Sequence, residues 1–227
     1  MATATIYASA GDGHISNYLD HADTWANCVA GTGSTKAAVG GSTTGLLVYG
    51  DVGYTFSDPT WYNYRSFLPF DLTSLSGATI TAATLNIYIS AKDIQGAFGS
   101  SVYVVTSGQS SLTSLATGDY NTSIGTTSLA TTTPTCSGLS TSAYLSLTLN
   151  ASGLAALTPG GSAKFCVRNS IDFTGASPVA YTFGSPNYDS VTFQTSEGTN
   201  KPYLSITYTL PVGPAGGRRR PSGLYIR

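Results

Sequence analysis

The stretch TAATLNIYIS, residues 81–90, decides the fold class of this chain. Ala83, Leu85, Ile87 and Ile89 alternate along it with polar residues or Tyr88, so the apolar side chains all point to one side. A period of two is typical of a β-strand with one buried face, whereas a helix would place its apolar residues three or four positions apart. The stretch therefore predicts a strand that covers one side of a hydrophobic core.

Similar alternation recurs along the chain and predicts about ten short strands. The further candidates are residues 3–8, 46–50, 64–70, 101–106, 143–150, 163–169, 179–183, 191–195 and 202–210. Strands with one apolar face each are what two packed antiparallel sheets require, so we expect an all-β, two-sheet antiparallel sandwich. Residues 150–157 are the one plausible short helix. The long polar stretches 11–45 and 107–142 are predicted to be loops that form functional surface or partner contacts.

Composition excludes several other classes of protein. Of the 227 residues, 41% are hydrophobic but only 9% are charged, with a single Glu, and a helical bundle needs a more polar outer surface. The 15 Tyr, eight Phe and two Trp argue against disorder. No window approaches about 18 uninterrupted apolar residues, so we expect no membrane span. The N-terminus lacks the basic and apolar regions of a signal peptide, which predicts a removed leader or release without one.

The C-terminal end differs from the rest of the chain. Residues 211–217 read PVGPAGG, a hinge that cannot continue a strand, so we divide the chain into a sandwich domain, 1–210, and a tail, 211–227. The last ten positions hold four of the ten basic residues, which leaves six basic and eleven acidic residues in the body. The tail is either a disordered appendage without a role or a docking peptide. Docking is favoured because a cationic run is followed by apolar residues; the predicted contact residues are Arg218, Arg219, Arg220, Leu224, Tyr225 and Ile226. Nucleic acid is not expected as a partner, because the acidic body would oppose it.

Several segments resemble one known family. The run YRSFLPFDLTSLSGATITAATLNIYISAK, residues 64–92, is similar to β-sandwich domains of the DNRLRE type, which are related to carbohydrate-binding modules. Residues 164–173 and 192–208 agree with later segments of the family in the same order, the second through Glu197, Pro202 and Leu204. The matching positions of the first run are Arg65, Phe67, Leu68, Phe70, Asp71, Leu72, Leu75, Ile80, Ala83, Leu85, Ile87 and Tyr88.

The resemblance implies a jelly-roll-like sandwich without catalytic activity. It also implies a role in adhesion, in glycan binding, or in building surface and virion structures, including phage proteins that lack a leader. Two matched residues have structural explanations of their own. Asp71 is expected to accept backbone N–H groups in a turn before Ser74. Arg65 is expected to pair with a carboxylate across the sheet, and an exposed pair would contribute about 0–1 kcal/mol.

The acidic stretch DGHISNYLDHAD, residues 12–23, is the candidate metal site. Asp12, Asp20 and Asp23 offer oxygen ligands for calcium, the one cofactor that we consider, although their spacing is not that of an EF-hand. The alternative is a polar loop that uses its aspartates in turns. No G-x-S-x-G element accompanies the histidines and no second Glu accompanies Glu197, so we expect no enzyme. Three widely spaced cysteines form neither a metal site nor a disulfide framework; we expect buried free thiols, and the alternative is one bridged pair with an odd thiol left over.

An aromatic cluster at residues 58–65, DPTWYNYR, is the candidate ligand-binding surface. Exposed aromatic side chains stack on sugars or anchor protein interfaces, but they equally fill cores, and all three readings stay open. Alternation places Trp61 and Asn63 on one side of the strand and Tyr62 and Tyr64 on the other, so one pair is expected in the core. The candidate residues are Trp25, Trp61, Tyr62, Tyr64 and Arg65.

These observations together predict a non-catalytic structural protein of a virus-like, phage-like particle or filament, such as a capsid decoration, tail or fibre component. Its expected partners are copies of itself and other proteins of the assembly, with no membrane and no nucleic acid, and its expected location is the virion or an extracellular assembly. The alternative is a carbohydrate-binding or adhesin module of an extracellular protein, with a surface glycan as the ligand.

Overall fold

A computed structural model of the chain describes residues 1–19, 24–32, 35–40, 61–95, 99–176 and 188–211. Ten strands and three short α-helices lie within these ranges, together with three 3-10 helices of three or four residues. The strands are β1 (Ala2–Tyr7), β2 (Gly13–Leu19), β3 (Thr35–Gly40), β4 (Trp61–Asp71), β5 (Thr79–Gln95), β6 (Val102–Thr106), β7 (Ala143–Thr148), β8 (Ser162–Asn169), β9 (Tyr188–Phe193) and β10 (Tyr203–Thr209). The helices are α1 (Trp25–Ala30), α2 (Ala151–Ala155) and α3 (Ser170–Thr174).

The strands form two antiparallel sheets of five strands each. Sheet I has the order β1-β10-β5-β7, and β9 pairs with the far end of β5. Sheet II has the order β3-β2-β4-β8-β6. β5 is 17 residues long and shifts register between Ile89 and Ala91, which allows one strand to pair with β10 and β7 and then with β9. The predicted two-sheet sandwich is thus confirmed.

The main core lies between the two sheets. The alternating apolar residues of β5 face it, with Leu204 and Ile206 of β10 beside them and Phe70 and Phe165 of sheet II opposite. The last two rings lie 5.9 Å apart between centroids. These side chains are almost completely removed from water, and burial of each large apolar side chain contributes about 1.5–3 kcal/mol.

Sheet II is also covered on its second face, by an outer layer that consists of α1, α3 and residues 107–126. Tyr120 of this layer packs on a small second core with Ile15, Phe67 and Cys166. The ring of Phe173 in α3 stacks on Tyr103 of β6, with centroids 4.2 Å apart. Part of the predicted 107–142 loop is therefore a covering layer fixed by packing.

The strand predictions agree with the structure for eight of the ten strands. β2 and β3 lie inside the stretch 11–45, which was predicted to be a loop, and that prediction was wrong. The polar residue Asn17 is fully buried in β2, so the polar composition of this stretch did not indicate an exposed loop. The predicted strands 46–50 and 179–183 lie outside the described residues. The predicted helix at 150–157 is confirmed as α2, and Asn150 caps it by accepting a hydrogen bond from the Gly153 amide at 3.0 Å.

Candidate functional site

Arg65 lies at the centre of a buried ion-pair network rather than on a ligand-binding surface. Its side chain is 4% exposed, and it donates to both carboxylate oxygens of Asp172 at 2.7 and 2.9 Å. It also donates to the carbonyl oxygens of Tyr120 and Val29 at 2.7 and 2.9 Å. Arg168 donates to Asp172 from Nε at 2.7 Å and to its carbonyl oxygen at 2.6 Å. The network joins β4, β8, α1 and α3.

The charges of this network stabilise each other. Burial alone would raise the pKa of Asp172, but the two guanidinium groups outweigh it and hold that pKa below its usual range. Burial would lower the pKa of Arg65, but the carboxylate of Asp172 outweighs it and raises that pKa. The carboxylate predicted to pair with Arg65 is present, on α3, but the expectation of an exposed pair was wrong because the outer layer covers β4.

The other aromatic candidates divide between the two faces of β4. Trp25 is buried and packs edge-on against Trp61 with ring centroids 5.7 Å apart, in a small cluster with Leu19. Tyr62 and Tyr64 lie on the opposite face, the one directed at sheet I, and are half-buried. The predicted alternation is confirmed, because Trp61 and the fully buried Asn63 contact Trp25 and Tyr120 of the outer layer, on the face opposite to Tyr62 and Tyr64.

Tyr62 and Tyr64 belong to a half-buried aromatic group on β2 and β4. The rings of Tyr62 and Tyr18 lie 4.8 Å apart between centroids, and those of Tyr64 and His14 lie 5.5 Å apart. Burial lowers the pKa of His14, so the neutral imidazole is favoured. Tyr18 and Tyr62 are direct cross-strand partners, and Tyr64 lies opposite Ser16. The rings of this group therefore lie side by side on one face of sheet II.

Asp12 is fully buried, and both oxygens of its carboxyl group bind Ser196 in the turn between β9 and β10. The Ser196 amide donates to Oδ2 at 2.6 Å, and the Ser196 hydroxyl lies 2.8 Å from Oδ1 and 2.9 Å from Glu197 Oε1. A hydroxyl has one hydrogen, so it cannot donate to two carboxylates, and a proton on one carboxyl group is needed for both contacts. Burial raises the pKa of Asp12 to about 7, with a further increase from the nearby Glu197 charge.

The structure describes one of the three candidate calcium ligands, Asp12. Asp20 and Asp23 lie outside the described residues, and the Asp12 oxygens are held by Ser196. Among the described residues no three His, Cys, Asp or Glu side chains converge on a common point. Calcium binding by this stretch stays a prediction.

The outer face of sheet I carries a row of four tyrosines, which we call the tyrosine row: Tyr7, Tyr203, Tyr144 and Tyr88. Their neighbouring ring centroids are 6.0 Å (Tyr7 to Tyr203), 5.3 Å (Tyr203 to Tyr144) and 5.3 Å (Tyr144 to Tyr88) apart. The planes of successive rings are inclined by 60–74°. Tyr7 is 56% exposed and Tyr144 is 38% exposed, and the other two are half-buried.

The register of sheet I explains how this row forms. Tyr7 and Tyr203 are cross-strand partners on β1 and β10, and Tyr88 and Tyr144 are partners on β5 and β7. The side chain of Tyr144 contacts the ring of Tyr203, and its hydroxyl donates to the Lys201 carbonyl oxygen at 3.3 Å. Burial raises the pKa of Tyr144, and the three neighbouring tyrosines add to the increase.

Around the tyrosine row, the remaining outward side chains of β1, β10, β7 and residues 82–88 of β5 are small and uncharged. Asn86 is buried there and accepts a hydrogen bond from the Ser146 hydroxyl at 2.7 Å. The other positions that point outward from β1, β10, β7 and residues 82–88 of β5 are Thr3, Thr5, Ser205, Thr207, Ala82, Thr84, Ser146 and Thr148. This part of the outer face therefore presents aromatic rings, hydroxyls and amides, and the exposed charged residues Lys201 and Asp93 lie just beyond it.

The cysteines and the tail complete the set of predicted residues. Cys28, Cys136 and Cys166 are buried and are not joined in a disulfide, as expected. Burial raises the thiol pKa of Cys136 to about 11 and that of Cys166 to about 12.

The tail candidates Arg218, Arg219, Arg220, Leu224, Tyr225 and Ile226 lie outside the described residues. Of the described helices, none is long and apolar enough to cross a membrane.

Part of the tyrosine row has a local signal in the sequence. Tyr88 and Tyr144 stand on the polar side of two alternating strands, where an aromatic residue has no core to fill. Their nearness to Tyr7 and Tyr203 depends on pairings between strands that are distant in sequence, so only the order of strands in the sheet reveals it.

The chain matches no protein-family model and no curated protein.

Proposed function

We propose that this chain is a non-catalytic structural protein that assembles with other proteins into a virus-like particle or filament. The observation that carries the proposal is the outer face of sheet I, where four tyrosines lie side by side with no charge among them. Aromatic residues are enriched, and charged residues depleted, in the fully buried centre of protein interfaces. The resemblance to surface and virion sandwich domains, carried by residues 64–92, points to the same class of function.

The geometry suits a contact surface because its backbone is rigid. The tyrosines stand on four hydrogen-bonded strands whose other face is the main core, so little conformational entropy remains to be lost on binding. Tyrosine has two rotatable side-chain bonds and provides both apolar area and a hydroxyl, which gives strong contacts at low entropic cost. A partner that covers Tyr7 and Tyr144 removes the two most exposed rings of the row from water.

The test is to locate the chain in the culture that produces it. We expect it to sediment with particles or filaments, and antibodies against it should label their surface in immunogold electron microscopy. The double variant Tyr7→Ser and Tyr144→Ser should fold normally but be recovered in the particle fraction in much smaller amounts. A chain found only as free protein in the medium, or a variant incorporated as well as the natural chain, would contradict the proposal.

A second candidate, a carbohydrate-binding module, is favoured by the same row. Tyrosine rings stack on the apolar faces of sugars, and the nearby hydroxyl and amide groups, including Ser146 and Asn86, suit the hydroxyls of a neutral glycan. A glycan array probed with the natural chain and with Tyr144→Ser distinguishes the two candidates. Binding to a defined neutral glycan that the variant loses would favour this second function.

A further inference from the structure

We propose that the outer face of sheet I binds the same face of a second copy of this chain, so that the assembly unit is a two-fold symmetric dimer. This inference rests on the proposed assembly function and names the partner of its contact surface. Three features of the face support a copy of itself as the occupant: its lack of charge, the arrangement of its rings, and the small net charge of the whole chain.

The lack of charge is the first feature. Two identical faces that meet bring like residues together, and any lysine or aspartate on them would be buried near its own kind at a cost of several kcal/mol. The outward positions of β1, β10, β7 and residues 82–88 of β5 are tyrosine, threonine, serine, asparagine and alanine, so two copies that overlap there meet without such a cost. The exposed charged residues Lys201, just before β10, and Asp93, further along β5, lie outside this overlap. A strongly charged partner, such as a nucleic acid or an acidic peptide, would find no counter-charge on these positions.

The ring arrangement is the second feature. Successive rings in the row are inclined by 60–74°, so the row presents ring faces and ring edges in turn. Aromatic rings prefer edge-to-face contacts, because the ring edge carries partial positive charge and the ring face partial negative charge. A copy rotated by a two-fold axis offers the same alternation in the opposite order, and its edges can lie against the faces of the first row.

The overall charge is the third feature. The chain has ten basic and eleven acidic residues and a formal net charge of −1, so two copies repel each other only weakly at long range. Net charge near zero favours association between identical molecules. A face-to-face dimer also leaves the edge strands β1 and β7 of sheet I at the rim, where further contacts in a particle or filament can form.

The test is the oligomeric state of the full chain across a concentration series, measured by sedimentation velocity and equilibrium. We expect a monomer–dimer equilibrium, and Tyr144→Ser should raise its dissociation constant about tenfold or more. Val39→Ser is the matched control, because Val39 is 37% exposed on the edge strand β3 of sheet II and lies away from the row. Circular dichroism and thermal melting check that both variants fold.

A charge-swap experiment tests whether the two faces meet. Ser205 is exposed on the outer face of β10, between Thr5 of β1 and Thr84 of β5. Ser205→Lys places a positive charge on both copies and Ser205→Asp a negative one, so each variant alone should be monomeric. An equal mixture of the two should dimerise again, and higher salt should weaken this mixed dimer.

The outcomes separate this inference from the proposed function. A chain that stays monomeric at all concentrations, or a dimer that is unaffected by both Tyr144→Ser and Ser205→Lys, overturns the symmetric face-to-face dimer. If the monomeric chain still needs the tyrosine row to enter particles, the proposed function stands and the partner is a different protein. If the dimer forms through the row but the chain is absent from particles, the inference stands and the proposed function falls.

Discussion

At the scale of single residues, Asp12 is the group whose protonation has the clearest consequence for stability. Its pKa is raised from 3.8 to about 7 in the folded chain, so the folded state binds a proton more tightly than the unfolded state does. Such a group contributes stability that is fully present below about pH 4 and is lost as the pH rises to about 7. His14 acts in the opposite direction, because its pKa is lowered in the folded chain.

The variant Asp12→Asn isolates this contribution. The asparagine amide can donate to the Ser196 hydroxyl at every pH, as the protonated carboxyl group does, and its oxygen can accept from the Ser196 amide. We expect the free energy of unfolding of the variant to exceed that of the natural chain by about 2–4 kcal/mol near pH 7.5, with a much smaller difference near pH 4. Urea unfolding across this pH range measures the difference. A difference that does not change with pH would show that folding does not raise the pKa of Asp12.

Residue roles could be predicted from the sequence only where the signal is local. Asp71 was expected to accept backbone amides in a turn, and it accepts one from Thr73 at 2.9 Å. Its position at the end of a strand, followed by small polar residues, was sufficient for that prediction. The burial of Arg65 and its bonds to Val29 and Tyr120 join segments far apart in sequence, and no local pattern indicates such contacts.

At the scale of elements, the short helix α3 is held on sheet II by the ion pairs of Asp172, because the helix is too short to be stable alone. α3 has five residues, too few to be stable alone. Asn169 caps it by accepting a hydrogen bond from the Asp172 amide at 2.7 Å, and Asp172 then accepts from Arg65 and Arg168. The carboxylate of one residue therefore holds the helix against β4 and β8.

The substitution Asp172→Asn should destabilise the protein strongly. It removes the negative charge between two buried guanidinium groups, and breaking a buried ion pair in this way costs about 3–5 kcal/mol. The matched control is Asp93→Asn, because Asp93 is exposed and its carboxylate accepts hydrogen bonds from Tyr188 and Gln95 at 2.6 and 2.9 Å rather than from an arginine. Guanidinium denaturation compares the two, and equal midpoints would contradict the structural role given to the network.

Elements were predictable where one face is buried and the other exposed. β5, β7 and β10 alternate clearly, because their outward residues meet water or a polar environment. β8 of sheet II alternates because Lys164 and Arg168 stand between its core residues. β2 was not recognised, because sheet II is covered on both sides and Asn17 takes a buried position, bonded to the Cys28 carbonyl oxygen at 2.6 Å. α1 has six residues, and its cap signals, Thr24 and Gly31, flank too short a run for periodicity to be read.

At the scale of the whole molecule, the two sheets have different surroundings, which the sequence alone did not reveal. Sheet II is enclosed between the main core and the outer layer, whereas sheet I turns the tyrosine row and its threonines outward. The number and class of strands followed from alternation. The outer layer did not, because residues 107–126 bind through separate contacts such as those of Tyr120 with Asn63 at 2.7 Å.

The tail gives the last prediction, which concerns assembly rather than folding. Deletion of the tail, residues 211–227, should leave the melting temperature nearly unchanged, because β10 ends at Thr209 and its core residues Leu204 and Ile206 are already buried by the described strands. The same deletion should reduce incorporation into particles, since the tail joins three arginines to an apolar Leu-Tyr-Ile segment that suits docking on an acidic neighbour.

Two variants of the full chain separate the parts of the tail in the same experiment. Replacement of the three arginines 218–220 by glutamine removes the charge, and replacement of Leu224 and Tyr225 by serine removes the apolar contact. Particle recovery should fall for both, and raised salt should weaken recovery of the natural chain but add little effect to the glutamine variant. Self-association of the deleted chain should persist, because the tyrosine row lies on the body. Unchanged particle recovery on deletion would make the tail an appendage without a role in assembly, while a large drop in melting temperature would mean that it belongs to the fold of the body.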